Sequence, residues 1–179
     1  MPVSPDLRSL IRTVPDFPRP GIQFRDITTL LKDAGGFRKT VDGLADAYKG
    51  ASIDKVAGIE SRGFIVGAAL AAKLRTGFVP IRKGGKLPAE NFGQEYELEY
   101  GQDRLEMHRD AITPGERVLL VDDLVATGGT ALAALALLDR ADARVVGCAF
   151  VIALPDLGGR AALERLGIPV SVLVEFAGD

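Results

Sequence analysis

From residue 54 onward the chain alternates short, β-branched apolar runs with longer stretches of helical pattern, and this alternation sharply limits the folds open to it. KVAGI (55–59), GFVPI (77–81), RVLLV (117–121), RVVGCAFVIAL (144–154) and VSVLV (170–174) read as strands. RGFIVGAALAAKLR (62–75), TGGTALAALALLDRA (127–141) and LGGRAALERLG (157–167) read as the helices between them. Strands this uniformly apolar fit burial on both faces, and right-handed crossovers then give an open, mainly parallel α/β sheet flanked by helices. With 179 residues, 47% of them apolar, there is material for one sizeable core, so residues 1–179 are expected to form a single domain.

Two regions break the alternation. The first fifty residues carry two expected helices, near 4–12 and 35–49, around PDFPRPGIQFRDITTLL, whose prolines forbid a continuous helix. Residues 82–109 alternate polar and apolar in YELEY and RLEMH around a Gly-Gln-Asp turn, which predicts a polar hairpin. A long excursion of this kind in a compact domain reads as a lid or binding loop.

In open parallel sheets ligands bind beyond the carboxyl ends of the strands, so the strand-to-helix turns are the places to look for chemistry. The turn DDLVATGGT (122–130) pairs two carboxylates, Asp122 and Asp123, with a glycine-rich segment. There the N–H groups of Ala126, Thr127, Gly128, Gly129 and Thr130 can converge on an anion at a helix N-terminus. Neither a Walker A nor a G-x-G-x-x-G pattern is present. Two carboxylates beside a phosphate make sense if they face hydroxyl groups or a divalent cation chelated by the ligand, and a sugar phosphate offers both. For both to serve one site the backbone has to turn at 122–123. Taken alone, the pair could also simply end a strand and cap the helix. The turns ESRGF (60–64) and RKGGK (82–86) bring Arg62, Arg82, Lys83 and Lys86 to the same sheet edge, which suits a polyanion such as pyrophosphate.

The rest of the composition excludes more than it suggests. A net charge of −2 with well-mixed signs gives no reason to expect nucleic-acid or membrane binding. The lone Cys148 lies in an apolar run and the lone His108 lacks partners at metal-ligand spacing, so both read as structural. No secretory signal or membrane span is recognisable in the sequence, and a soluble, cytoplasmic protein is expected.

VLLVDDLVATGGT (118–130) resembles the 5-phosphoribosyl-1-pyrophosphate (PRPP) signature of the type I phosphoribosyltransferases. With GIESRGF (58–64), IRKGGKLP (81–88) and YELEYG (96–101), the likeness runs over nearly the whole chain, and DFPRPGIQFRDIT (16–28) points to the branch that uses adenine. The resemblance implies the type I phosphoribosyltransferase fold, with residues 1–50 as an N-terminal hood and 82–109 as a flexible β-hairpin lid. It implies that PRPP and adenine give AMP and pyrophosphate in purine salvage, with Mg²⁺ carried by PRPP, in a homodimer. Asp122 and Asp123 would then bind the ribose hydroxyls, directly or through magnesium-bound water, and Ala126 to Thr130 would hold the 5-phosphate. Arg62, Arg82, Lys83 and Lys86, with the backbone at Glu60 and Ser61, would hold pyrophosphate. Adenine would be read by the backbone of Gln23 and Arg25 and enclosed by Phe24 and Leu154, while Glu99 and Tyr100 would be the catalytic lid residues. Ala153 departs from the family, which carries an acidic residue there. A PRPP-binding regulator, or a transferase for hypoxanthine, guanine or xanthine, are the alternative functions.

Overall fold

The structure, a computed structural model, describes residues 6–98 and 101–178. Seven strands form one sheet in the order β5-β6-β4-β3-β7-β8-β9. Its parallel part is β4 (Gly77–Lys83), β3 (Lys55–Ile59), β7 (Arg117–Val125), β8 (Arg144–Ala153) and β9 (Val170–Glu175). The hairpin β5 (Asn91–Leu98) and β6 (Gly101–His108) is antiparallel and joins the edge through two residue pairs, Arg82↔Glu106 and Lys83↔Leu105. The expected open, mainly parallel sheet is thus the fold.

Side chains alternate across each strand, and both faces of the central strands are buried. Leu119, Val121, Ala149 and Val151 pack under α2 (Ala34–Ala47) and α3 (Arg62–Leu74). Val118, Leu120, Cys148 and Phe150 pack under α4 (Gly129–Arg140) and Leu163 of α5 (Gly159–Arg165). Helix α2 starts where the Asp33 carboxylate accepts the Gly36 N–H at 2.7 Å, an N-cap that satisfies one of the orphan donors. Among the described residues no helix is long and apolar enough to cross a membrane.

Three expectations need correction. Of the helix expected over 4–12, the described part is a single 3₁₀ turn at Arg8–Leu10, followed by β1 (Arg12–Pro15). This strand pairs antiparallel with β2 (Gln23–Asp26), bringing Arg12 to Asp26, and the cross-strand pairing overrides the local helical spacing of Leu7 and Ile11. A one-turn helix, α1 (Thr28–Leu31), follows. In the hairpin Leu98 pairs with Gly101, so Gly101 to Asp103 lie in the strand and not in its turn. Finally, the backbone does not turn at 122–123, because β7 continues to Val125 through pairing of Asp122 with Phe150 and Leu124 with Ile152.

The chain leaves β3 toward β4 on one side, while β7 lies on the other. This reversal of strand order opens a crevice at the carboxyl ends of β3 and β7.

Candidate active site

Two adjoining clefts occupy that crevice. The larger, about 610 Å³, is lined by Phe24 and Arg25 from β2, Glu60, Ser61 and Arg62 after β3, Lys83 at the end of β4 and Lys86 after it, and Asp122 and Asp123 on β7, with Leu154 after β8. The smaller, about 130 Å³, is walled by Asp122, Leu124 and the turn Val125–Ala131. The clefts share Asp122, Leu124 and Thr130, so one ligand can extend from the first into the second.

The smaller cleft is a backbone site. Gly128 has φ +90° and is the N-cap of α4, a conformation that aims the following N–H groups into the cleft. The turn is braced from behind by Gly159, whose N–H donates to the Ala126 carbonyl at 2.9 Å. A Cβ on Gly159 would lie 2.3 Å from that oxygen.

In the larger cleft Arg62, Lys83 and Lys86 are engaged with carboxylates. Arg62, the first residue of α3, donates through Nε to the buried Asp123 carboxylate, and its guanidinium stands 5.4 Å from the centre of the Phe24 ring. Burial works against the Arg62 charge, but Asp123 and then Asp122 outweigh it and raise the guanidinium pKa. Glu60 gathers the Lys86 ammonium at 2.6 Å, the Lys83 backbone N–H at 3.0 Å and Arg82 Nε at 3.4 Å. Desolvation opposes the Glu60 charge, and those three donors overcome it to hold the carboxyl below its ordinary value. The Lys83 ammonium lies 2.9 Å from Asp103. Asp122 accepts the Asp123 N–H at 2.8 Å, and its carboxyl is raised well above the usual range by desolvation and the neighbouring Asp123 charge. Although strand alternation sends Asp122 and Asp123 to opposite faces, both line the larger cleft. Neither caps α4, whose N-cap has no side-chain hydrogen bond.

The structure therefore brings together most of the residues singled out in the sequence. Ala126, Thr127, Gly128 and Gly129 line only the smaller cleft. Gln23 and Arg82 line neither, though Arg82 reaches the site through Glu60. Arg25 directs its guanidinium to Thr13 and over Phe176 at 4.5 Å. Glu99 and Tyr100 lie outside the described residues. Sequence reasoning missed Tyr96, Asp103, Leu105 and Leu124 in the wall. It also missed the Gly158-Gly159 pair, although two adjacent glycines opening a helix are a sign of close backbone approach. Among the described residues no group of three metal-ligating side chains exists.

The chain matches the family model of the phosphoribosyl transferase domain over residues 29–166. It is 61% identical over 171 residues to the adenine phosphoribosyltransferase of Methylobacillus flagellatus, covering 96% of this chain and 97% of that one. Identity to the Maricaulis maris adenine phosphoribosyltransferase is 60% over 173 residues, 97% of this chain and 99% of the other. Among solved structures, adenine phosphoribosyltransferase from Rhodothermus marinus aligns with a TM-score of 0.90 at 52% identity, covering 95% and 96% of the two chains. The Saccharomyces cerevisiae protein, complexed with D-2,5-dideoxy-2,5-imino-altritol 1,6-bisphosphate and adenine, aligns at 0.87 and 41% identity, covering 94% and 96%. By sequence along nearly its whole length and by fold, the chain belongs to the adenine phosphoribosyltransferase family.

Proposed function

We propose that this chain transfers the 5-phosphoribosyl group of PRPP to adenine, releasing AMP and pyrophosphate. The observation that carries the reading is the continuity of the two clefts: a backbone anion site opens directly onto a cleft holding paired carboxylates and clustered cations. A sugar flanked by a phosphate at one end and a pyrophosphate at the other matches that sequence of chemistries. The yeast relative bound to adenine supports adenine as the acceptor, and the Trypanosoma brucei relative in complex with AMP, pyrophosphate and ribose-5-phosphate supports the products.

In this reading the turn Ala126–Thr130 holds the 5-phosphate, and Asp122 and Asp123 take the ribose hydroxyls. Two carboxylates, one already paired with Arg62, are too few to hold a resident metal. They do fit a Mg²⁺ that arrives chelated by PRPP, through water, and that ion would neutralise pyrophosphate charge. Loss of pyrophosphate from the anomeric carbon passes through an oxocarbenium-like transition state, as in glycoside cleavage, and inverts that carbon. Arg62, Arg82, Lys83 and Lys86, with the backbone of Glu60 and Ser61, stabilise the negative charge that builds on the leaving group. Phe24 and Leu154 enclose adenine, whose edge is read by the backbone of Gln23 and Arg25 in the hood, residues 1–50. The 82–109 hairpin excludes water that would otherwise hydrolyse PRPP, with Glu99 near the base and Tyr100 closing over it. The chain acts as a cytoplasmic homodimer; the buried free thiol of Cys148, pushed up to about 12 by desolvation, is compatible with a reducing compartment.

The test is to mix the protein with PRPP, Mg²⁺ and each purine base in turn. AMP formed from adenine well ahead of products from hypoxanthine, guanine or xanthine is the expected result. No AMP, or a preference for another base, would overturn the reading.

A further inference from the structure

Two residues in the wall of the larger cleft, Tyr96 and Asp103, have no part in the roles above. They face each other across the hairpin, Tyr96↔Asp103, so their side chains share one face. The Asp103 carboxylate is held on both oxygens. Oδ2 accepts the Lys83 ammonium at 2.9 Å and the Tyr96 hydroxyl at 3.2 Å, and Oδ1 accepts the Arg104 N–H at 2.8 Å. Lys83 is held at its other end too, its backbone N–H donating to Glu60. The Tyr96 ring sits beside Gly129, where α4 leaves the anion-binding turn. A row of contacts therefore runs from that turn, through Tyr96 and Asp103, to Lys83.

We propose that Asp103, steadied by Tyr96, is a positioning residue that fixes the Lys83 ammonium where negative charge builds on departing pyrophosphate. The proposal rests on the phosphoribosyl-transfer reading and deepens it. Lysine is a point charge on a flexible four-carbon stem, and a contact made by an unrestrained lysine loses much of its strength to ordering. A carboxylate fixed in the hairpin pre-orders that stem. Asp103 in turn raises the Lys83 pKa and is itself lowered by Lys83, which keeps both groups charged at neutral pH.

Steady-state kinetics of AMP formation by the full chain test this. Asp103→Asn should lower kcat/KM for PRPP by about tenfold, the equivalent of one misplaced charge-assisted contact, with KM for adenine unchanged. Asp103→Glu should recover part of the loss, and Tyr96→Phe should show a smaller loss in the same direction. In a Lys83→Ala background Asp103→Asn should add nothing further, whereas a purely structural role predicts additive effects. A lower KM for PRPP in Asp103→Asn would overturn the proposal, because it would make Asp103 a competitor for Lys83; so would equal changes in the adenine and PRPP parameters. If the wild-type chain formed no AMP, the functional reading would fail separately. Binding of inorganic pyrophosphate would then be the readout, and Asp103→Asn should weaken it by the same factor, with unchanged binding overturning the proposal.

Discussion

Replacing Gly159 by alanine adds one methyl group to the back of the anion-binding turn. The added Cβ would lie 2.3 Å from the Ala126 oxygen, 2.5 Å from the Gly128 nitrogen and 2.7 Å from the Thr127 carbonyl carbon. Ordinary contact begins near 3.5 Å, so either the turn or α5 must retreat by about 1 Å. All three neighbours are backbone atoms, and no side-chain rotation relieves the overlap. Overpacking of this kind costs about 1–3 kcal/mol, which in a chain of this size lowers the melting temperature by several degrees. The larger effect falls on ligand handling, since a displacement of about 1 Å in groups that orient a substrate can reduce rate by about 100-fold. Gly159→Ala is therefore expected to lower kcat/KM for PRPP by about that factor, measured as AMP formation at saturating adenine alongside thermal melts. Gly43→Ala in α2 is the control, because its Cβ meets only the Leu173 side chain, at 3.1 Å, and that side chain can move. If Gly159→Ala kept kcat/KM for PRPP within about twofold of wild type, the bracing of the turn by α5 would have no functional weight.

Other perturbations probe separate parts of the site. Asp123→Asn removes the charge that pairs with Arg62 and turns one carboxylate oxygen of the proposed ribose site into an NH₂ donor; kcat/KM for PRPP should fall by about 10- to 100-fold with an unchanged circular dichroism spectrum, and unaltered kinetics would remove Asp123 from the ligand site. Glu99→Ala should reduce turnover by at least about tenfold without lowering the melting temperature, and a change in stability alone would take it out of the chemistry. Asp26, held by Thr28 and Arg12 against the opposing effect of burial, has its carboxyl lowered from 3.8 to about 2. A folded value below the unfolded one means that its stabilisation is present above pH 3.8 and is lost as pH falls through about 2. Asp26→Asn should thus destabilise the folded chain by on the order of 1 kcal/mol at pH 7, after allowing for solvent screening, and by progressively less toward pH 2. Urea denaturation across that range gives the comparison, and a penalty independent of pH would refute the linkage.

The parallel core was legible because its cause is local: β-branched apolar runs at strand length, each followed by a helical period. The ends of elements were less so, because partners distant in sequence decide them. Strand β7 runs past the acidic pair only because β8 supplies Phe150, Ile152 and Ala153 as ladder partners. The helix expected over 4–12 gives way, in its described part, to one 3₁₀ turn at Arg8–Leu10, because β2 offers Arg12–Pro15 a second strand to pair with. The acidic pair, the glycine turn and the basic turns announced themselves by residue type and by position at strand ends. Their pairings did not, since Arg62 finds Asp123 sixty-one positions away and Glu60 collects donors from the end of β4 and just past it. Tyr96 and Asp103 stayed hidden because their alignment depends on where the hairpin reverses, which a shift of two residues changes.

Among the described residues lining the larger cleft, Arg62, Lys83 and Lys86 each face a carboxylate, those of Asp123, Asp103 and Glu60. Such a cleft projects little field into solvent, so an incoming polyanion is not drawn from afar. Capture depends on contacts made at close range, as phosphoryl oxygens meet ammonium groups that Glu60 and Asp103 already hold in place. The association rate for PRPP should accordingly be nearly flat with ionic strength, in contrast to sites that fish for their substrates with an unbalanced positive rim.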